Sequence, residues 1–306
     1  FQLLADRYKK DTDAELGALR RLIDACLQAG FYNFDLDTST IVDWTKSTPD
    51  EQQRHNCELS ALLTDYIRVR QPYNVVVAVG GEIGSGGRRN SDIHELRAYL
   101  NGVSQMMRHK PGLCKVAVMA GTTRGGIVAP NGALLAPEVD FRLLRELSEV
   151  ARKEYGLGGV SQHGTSTAPD EMFVEFARSG AVEVKLATQL QNTVLDSLPE
   201  SLREEMRTWI LKTLDNERKP GLSEAQFLHR ARRRAIGPFK EQMWRLSEAD
   251  RGHIRALLEH RFVDLFTWLG VTDTRTMVST FVSQPQIHKT PQDFSDQPPL
   301  ITPEQE

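Results

Sequence analysis

The chain has 306 residues, of which 40% are hydrophobic and 26% are charged, and its formal net charge is −3. This composition is typical of a globular protein with a sizeable core, and the small net charge argues against nucleic-acid binding and membrane-surface attachment. No apolar run reaches the length of a membrane span, and the cysteines Cys26, Cys57 and Cys114 form no CxxC pair, which favours a reducing compartment. We therefore expect a cytoplasmic protein with no nucleic-acid or membrane partner.

Five short apolar segments predict β-strands in the first two-thirds of the chain. The predicted strands are residues 31–36, 74–79, 115–119, 159–162 and 181–186. A segment of helical period precedes each of them, at residues 13–29, 58–69, 91–107, 140–155 and 169–177. This alternation predicts repeated βα units and a parallel sheet.

A polar or glycine-rich cluster follows every predicted strand. The clusters are Asp37-Thr38-Ser39, Gly80-Gly81-Glu82, residues 121–126, residues 163–166 and Ala187-Thr188-Gln189. In a parallel barrel or an open α/β sheet, the active site lies at the carboxyl ends of the strands. The sequence therefore predicts one site at that edge, built from several strand ends.

The most informative cluster follows the fourth predicted strand. His163 ends this strand, Gly164-Thr165-Ser166 forms a turn of small residues, and Pro169 begins the next helical segment. Backbone N–H groups and hydroxyls at such a turn suit an anion such as phosphate. The motif alone is equally compatible with a packed histidine beside an ordinary loop.

The pattern changes after about residue 198, where only helical segments follow, at residues 199–216, 223–234 and 247–268. We expect a partial (β/α) barrel over residues 1–198, a helical carboxyl-terminal extension over 199–282 and a flexible tail over 283–306. A basic run at residues 230–234 is interpreted as a solvated helix face or a set of salt-bridge partners, in preference to an anion site.

The order of the clusters resembles that of the class II, metal-dependent fructose-bisphosphate and tagatose-bisphosphate aldolases, over about two-thirds of the chain. Residues 31–39 resemble the fourth-strand segment of that family, with Asp37 and Ser39 at its Asp-Gly-Ser positions. Residues 81–87 resemble its fifth-strand Glu-Leu-Gly-x-x-Gly-Gly pattern, with Glu82 as the acidic residue.

Three further clusters stand at the places of the sixth, seventh and eighth strands. Residues 121–125 take the sixth place, and residues 184–189 take the eighth. Residues 163–166 resemble the seventh-strand His-Gly-Gly-Ser, where the histidine binds zinc and the turn holds a substrate phosphate. The resemblance implies an α/β fold of the (β/α)8 TIM-barrel type, with strands four to eight in this chain. It also implies three upstream βα units that end in an Asp-His pair shortly before Phe1.

The resemblance implies a lyase that performs metal-dependent aldol cleavage or condensation of a phosphorylated ketose. A divalent metal, zinc in this family, stabilises the enolate, and a carboxylate moves the hydroxyl proton. The implied metal ligands are His163 and Glu82, and the implied catalytic carboxylates are Asp37, Asp35 and Glu82. Asp35 and Asp37 lie two residues apart on a strand, so their side chains point to the same face. The implied substrate and phosphate binders are Arg124, Gly164, Thr165, Ser166, Lys185 and Thr188.

Several positions depart from the family pattern. Arg124 replaces the sixth-strand zinc histidine, and Lys185 replaces an asparagine of the eighth strand. A guanidinium cannot bind a metal, but it can bind a phosphate or a carboxylate. Internal salt bridges between these two cations and the acidic candidates are an equally simple interpretation.

The departures leave three functions open. The first is the aldolase, and the second is a sugar-acid epimerase on the same barrel. The third is a non-catalytic subunit for sugar-phosphate binding or assembly, which the lost histidine allows. In each case we expect a small-molecule sugar phosphate as partner and a homo-oligomer as the assembly.

Overall fold

The computed structural model describes residues 1–84, 89–122, 127–131 and 133–282. Arg124, the glycine cluster at 85–87 and the predicted tail at 283–306 lie outside the described residues. The chain forms two compact units. Unit 1 contains residues 1–119 and 142–161 and the described residues from Asp273 onward, and unit 2 contains residues 120–141 and 162–272.

The fold is α/β and contains a five-stranded parallel sheet of partial (β/α)8 type. The strands of the described residues are, in chain order, β1 (Asn33–Asp35), β2 (Ala78–Glu82), β3 (Lys115–Val118), β4 (Ile127–Val128), β5 (Leu134–Leu135), β6 (Gly159–Gln162) and β7 (Glu183–Val184). The sheet order is β1-β2-β3-β6-β7, and β4 and β5 form a separate antiparallel hairpin. The predicted parallel sheet is confirmed, while the assignment of its strands as the fourth to eighth of a barrel stays a prediction.

Helices precede each strand of the sheet and fill the region after β7. They are α1 (Ala5–Lys10), α2 (Thr12–Gln28), α3 (Pro49–Arg70), α4 (Ile93–Met106), α5 (Phe141–Tyr155), α6 (Met172–Arg178), α7 (Thr188–Asp196), α8 (Glu200–Leu214), α9 (Glu224–Ala231), α10 (Lys240–Trp244), α11 (Glu248–Trp268) and α12 (Arg275–Phe281). None of the described helices combines the length and the apolar composition needed to cross a bilayer.

Helix α3 begins nine residues earlier than the hydrophobic period predicts. Thr48 and Glu51 form a capping box, in which each side chain binds the backbone N–H of the other residue, and Pro49 occupies the first turn. These interactions satisfy N–H groups that have no partner inside the helix. In α4 the box is formed by Asp92 and Glu95, so Asp92 and not Ser91 caps that helix.

Strand β2 also differs from the prediction, because it runs over Ala78–Glu82 and not over residues 74–79. Asn74 has a φ of 67°, which fits the turn that precedes the strand. Gly80 and Gly81 therefore lie inside the strand, where glycine usually marks a close approach of other groups. Glu82 is the last residue of β2, which places it at the carboxyl end of the strand.

One face of the sheet in unit 1 packs on helices. Phe34 and Val79 are fully buried in a core that contains Ile23 of α2 and Leu63 of α3. Side chains alternate along a strand, so residues 33, 35 and 37 point to the opposite face. The predicted shared face of Asp35 and Asp37 follows from this alternation. Unit 2 has its own apolar core, which α7, α8, α9 and α11 build.

Candidate functional site

Unit 1 places acidic side chains at the carboxyl ends of β1 and β2. Asp35 pairs with Gly80 in the parallel register. Asp37 lies two residues beyond this pair, after the end of β1, and Glu82 is the last residue of β2. Asp37 is 6% exposed and Glu82 is 3% exposed. Two buried carboxylates thus belong to the carboxyl ends of β1 and β2, one just after β1 and one at the end of β2.

Hydrogen bonds fix the backbone around both carboxylates. Asp37 Oδ1 accepts hydrogen bonds from the N–H of Ser39, at 3.2 Å, and from its hydroxyl, at 2.7 Å. The Nδ2 of Asn56 donates to the carbonyl oxygen of Glu82 at 2.8 Å, and Asn56 Oδ1 accepts from the hydroxyl of Thr38 at 2.5 Å. Asn56 therefore joins the ends of β1 and β2 through buried hydrogen bonds.

A buried polar network extends from Asn56 into the helices. The Thr38 and Ser60 hydroxyls are 2.8 Å apart, and the hydroxyl of Tyr99 donates to Ser60 Oγ at 2.7 Å. Burial raises the pKa of Tyr99, which keeps the phenol protonated as a donor. The sequence interpretation missed this network. In the sequence, the network is marked by polar residues at helical spacing, which form a stripe on the buried face of α3: Gln53, Asn56, Ser60 and Thr64.

Asp35 forms an ion pair with a lysine, Lys115, that the sequence interpretation did not select. Lys115 Nζ lies 3.2 Å from Asp35 Oδ1 and donates to Asn33 Oδ1 at 2.9 Å. The Lys115 side chain is only 6% exposed, so its charge needs such partners. The ion pair spans β2 at Gly80, where a Cβ atom would lie 2.9 Å from Lys115 Cε and in hard contact with Asp35 Oδ1.

Gly80→Ala is expected to lower the free energy of unfolding by about 1–3 kcal/mol, because the new methyl group overpacks the Asp35–Lys115 pair. Urea unfolding of the single variant and of the Gly80→Ala, Lys115→Ala double variant measures this coupling. The loss of unfolding free energy caused by Gly80→Ala should be smaller in the Lys115→Ala background. An equal cost in both backgrounds would show that the clash lies elsewhere.

Unit 2 contains the predicted histidine and its turn. Strand β6 ends at Gln162, as predicted, and the half-buried His163 follows it directly. Gly164 has a φ of 69°, and Thr165–Thr167 form a 3₁₀ turn. The hydroxyl of Thr165 donates to the carbonyl oxygen of Lys185 at 2.9 Å. That hydroxyl therefore links the turn to the chain after β7.

Buried side chains hold the backbone of His163. Gln162 Nε2 donates to Thr122 Oγ1 at 2.6 Å and to the carbonyl oxygen of His163 at 3.1 Å. The hydroxyl of Thr122 donates to the same carbonyl oxygen at 2.5 Å. Gln162 is fully buried and Thr122 is 5% exposed, so these bonds are shielded from water. Neither residue was selected from the sequence.

The two candidates after β7 have local roles in the structure. Lys185 Nζ lies 3.8 Å from Glu183 Oε1, a near neighbour in the chain. Thr188 is the first residue of α7. The first backbone N–H groups of this helix have no acceptor within the helix itself.

Arg261 of α11 joins the segment after the turn to the start of α7. Its Nη1 lies 2.8 Å from Asp170 Oδ1, and its Nε donates to Gln189 Oε1 at 3.2 Å. The guanidinium also stacks 5.0 Å from the ring centroid of Trp268. No local sequence pattern predicts this contact, because Arg261 lies far along the chain from both partners.

The predicted metal site can be tested on the donor atoms present. A catalytic zinc needs three protein ligands and an open position. Within residues 1–84, 89–122, 127–131 and 133–282, no three His, Cys, Asp or Glu side chains come together in a way that could hold a metal ion. These residues by themselves therefore do not fit a complete zinc site.

The site candidates thus fall into two described groups. Asp35, Asp37 and Glu82 lie together in unit 1, whereas His163, Gly164, Thr165, Ser166, Lys185 and Thr188 lie in unit 2. Arg124 lies outside the described residues. The convergence of all these residues on one pocket stays a prediction.

Comparisons with known proteins agree with the resemblance. A probable tagatose 6 phosphate kinase from Sinorhizobium meliloti 1021 has a TM-score of 0.53 and 16% identity, with 92% of this chain and 72% of that chain covered. This likeness shows the fold alone. No curated protein matches the sequence.

Two aldolases of known structure match less of their own length. The YdjI aldolase from Escherichia coli K12 has a TM-score of 0.38 and 15% identity, with 72% of this chain and 63% of that chain covered. A fructose-bisphosphate aldolase from Campylobacter jejuni has a TM-score of 0.37 and 13% identity, with 76% and 58% covered. The chain therefore spans less than two-thirds of these aldolases.

The family model of class II fructose-bisphosphate aldolases matches residues 17–250, which is more than half of the chain. That stretch includes the sheet, the two carboxylates at the ends of β1 and β2, and the turn after β6. The chain belongs to the class II fructose-bisphosphate aldolase family.

Proposed function

We propose that the protein catalyses aldol cleavage or condensation of a phosphorylated ketose, with Glu82 and Asp37 as its catalytic carboxylates. The observation that supports this most is their arrangement. Both are more than nine-tenths buried, and in a chain of this family Glu82 ends β2 while Asp37 follows the neighbouring parallel strand β1 by two residues. Active sites of parallel barrels lie at that edge.

The chemistry requires one group to move a proton and another to orient the substrate. In cleavage, a base takes the proton of the hydroxyl next to the breaking C–C bond, and the bond electrons form the enolate of the keto fragment. Asp37 Oδ1 already accepts two hydrogen bonds from Ser39. We therefore assign proton transfer to Glu82 and orientation of the substrate hydroxyl to Asp37.

Asp35 has a different place in the proposal. Its carboxylate is committed to Lys115, so we assign it to holding the sheet face beneath the two catalytic carboxylates. The family is typically dependent on a divalent metal. Because the described donors do not complete such a site, the steps above rest on the carboxylates alone. Zinc, with His163 as its ligand, stays a prediction from the resemblance.

The substrate phosphate is assigned to the turn after β6. Gly164 and Ser166 lie in this turn, and Thr188 starts α7 nearby in unit 2. The hydroxyl of Thr165 already donates to Lys185, so we expect Thr165 to contribute its backbone. Arg124 keeps its predicted role as an anion partner. The homo-oligomer and the cytoplasmic location also stay predictions.

Arg261→Ala is expected to raise the KM for the phosphorylated ketose by about tenfold with kcat changed less than about threefold, because the turn and α7 lose their shared partner. Steady-state kinetics measure this split. Arg261→Lys should recover part of the effect, since it keeps the charge at Asp170 and loses the second contact to Gln189. Arg255→Ala, which removes an exposed arginine of the same helix, is the control. An equal increase in KM for Arg255→Ala would contradict a positioning role for Arg261.

The proposal is tested by comparing two aspartates that have the same local geometry. Asp43 accepts hydrogen bonds from the N–H and hydroxyl of Thr45, as Asp37 does from Ser39, but the Asp43 side chain is 37% exposed. Asp37→Asn should lower kcat/KM for aldol cleavage by about 10- to 100-fold, and Asp43→Asn should not change it. Equal effects of the two variants would contradict a role for Asp37 in the site.

A second candidate is a non-catalytic sugar-phosphate-binding subunit. The incomplete set of described metal donors favours it. Measuring binding and product formation together distinguishes the two functions, because such a subunit binds the sugar phosphate without cleaving it. Saturable binding with no product would favour the subunit over the aldolase.

A further inference from the structure

Helices α7, α8 and α9 enclose a cavity of about 320 Å³ that none of the sheet strands lines. Its apolar lining includes Met206, Ile210 and Leu228, and its basic lining includes Arg203 and Arg232. An apolar wall and a wall of arginines, which also holds the carboxylate of Asp196, therefore face the same space. All of these residues belong to unit 2.

Arg203 and Arg232 have N–H donors that bind no acceptor among the described residues. Arg203 forms no ion pair within the described part of the chain, and the buried Nε of Arg232 donates to no described atom. Arg232 is otherwise held by Asp196, at 2.7 Å, so its guanidinium is fixed in place. A buried donor without an acceptor costs free energy, and an anion in the cavity would supply the acceptor.

The third arginine of the cavity is neutralised by protein carboxylates. Arg207 lies 2.5 Å from Glu224 and 3.5 Å from Glu204. It therefore closes the cavity wall without adding net charge. The attraction for an anion comes from Arg203 and from the open Nε of Arg232.

Two arginines of the basic run at residues 230–234 form salt bridges, as the salt-bridge interpretation predicts. Arg234 pairs with Glu217 at 2.5 Å, as a salt-bridge interpretation expects. The Arg232 side chain pairs with Asp196, is only 24% exposed and also lines the cavity. Of these two arginines, only Arg232 lines the cavity.

We propose that this cavity binds a small amphipathic anion, with an anionic head such as a phosphate monoester at Arg203 and Arg232. The apolar body of the ligand would lie on Met206, Ile210 and Leu228. A volume of about 320 Å³ lies within the usual range of small-ligand pockets, roughly 300–1,000 Å³. Hexyl phosphate has this size and this division of polarity. The site is independent of the aldol chemistry proposed for the sheet.

Isothermal titration calorimetry of the purified protein with hexyl phosphate tests the proposal, with inorganic phosphate and 1-hexanol titrated separately. Hexyl phosphate should bind saturably and at least about tenfold more tightly than either part alone, because only it contacts both walls. Arg203→Gln should weaken binding by about tenfold or more, since a charge-assisted hydrogen bond is lost. Arg203 is exposed, so the variant should fold normally.

Two further variants make the result specific to this cavity. Arg245→Gln removes an arginine that is 77% exposed and lies outside the cavity lining, so it should leave the affinity unchanged. Ala225→Phe places a large side chain at an exposed lining position and should abolish binding by filling the space. Absence of saturable binding, equal affinity for inorganic phosphate, or equal effects of Arg203→Gln and Arg245→Gln would each overturn the proposal.

Discussion

Glu82→Gln is expected to lower kcat/KM for aldol cleavage by about 100- to 10,000-fold, the range for loss of a general base. The amide keeps the size of the carboxylate but cannot accept the hydroxyl proton. The backbone of Glu82 is held by Asn56 and should stay in place. Steady-state kinetics measure the loss, and a thermal melt should show only a small change.

Glu58→Gln is the matched control for this variant. Glu58 lies on α3 with a side chain that is 40% exposed, and it pairs with Arg54 and His55 on the same helix. Its substitution should leave kcat/KM unchanged. A Glu82→Gln enzyme with nearly wild-type kcat/KM would remove Glu82 from the proton transfer.

Gly121→Ala is expected to lower the free energy of unfolding by about 2–5 kcal/mol. The residue has a φ of 85°, which costs about 1–2 kcal/mol for a residue with a Cβ. That Cβ would also lie 2.8 Å from the carbonyl carbon of Glu138 and 3.1 Å from Val139 Cα, and it would clash with the Glu138 oxygen. Because these are backbone atoms, they can move only by shifting the chain, which adds about 1–3 kcal/mol. Urea unfolding measures the total.

Gly221→Ala separates the two contributions. Gly221 has the same φ of 85°, but nothing lies within 4 Å of the Cβ that alanine would add. Its cost should therefore be the backbone strain alone, about 1–2 kcal/mol. If Gly121→Ala costs no more than Gly221→Ala, the loop after β3 has relaxed and the close approach to Glu138 does not constrain it.

The sequence predicts the sheet well where burial alone decides the structure. Residues 159–162 are predicted as a strand, and β6 covers the same residues, all of which are buried. The position of His163 directly after this strand follows from the same pattern. The shared face of Asp35 and Asp37 needs only the two-residue period of a strand.

The sequence predicts less where tertiary contacts override the usual preference of a residue. Gly80 and Gly81 suggest a loop, but β2 contains both. Gly80 leaves room for the Asp35–Lys115 pair, and a Cβ at Gly81 would lie 2.9 Å from the Cζ of Tyr99. Such a requirement becomes visible only when the neighbouring strand and helix are in place.

Some signals were present in the sequence and were not used. Thr48, Pro49 and Glu51 together mark a helix start, and they place the beginning of α3 correctly. Arg261 is different, because its partners Asp170 and Gln189 lie 91 and 72 residues away. No local pattern could have selected it as the residue that joins the two segments.

The most direct test of the proposed aldol chemistry is carbon-13 NMR of a labelled phosphorylated ketose incubated with the purified protein. A panel of such ketoses is needed, because the structure does not select one stereoisomer. We predict that at least one of them gives the resonances of a free aldehyde and a shorter keto fragment, and that Glu82→Gln abolishes this product. A folded wild-type protein that leaves every carbon–carbon bond of the panel intact would contradict the proposed function.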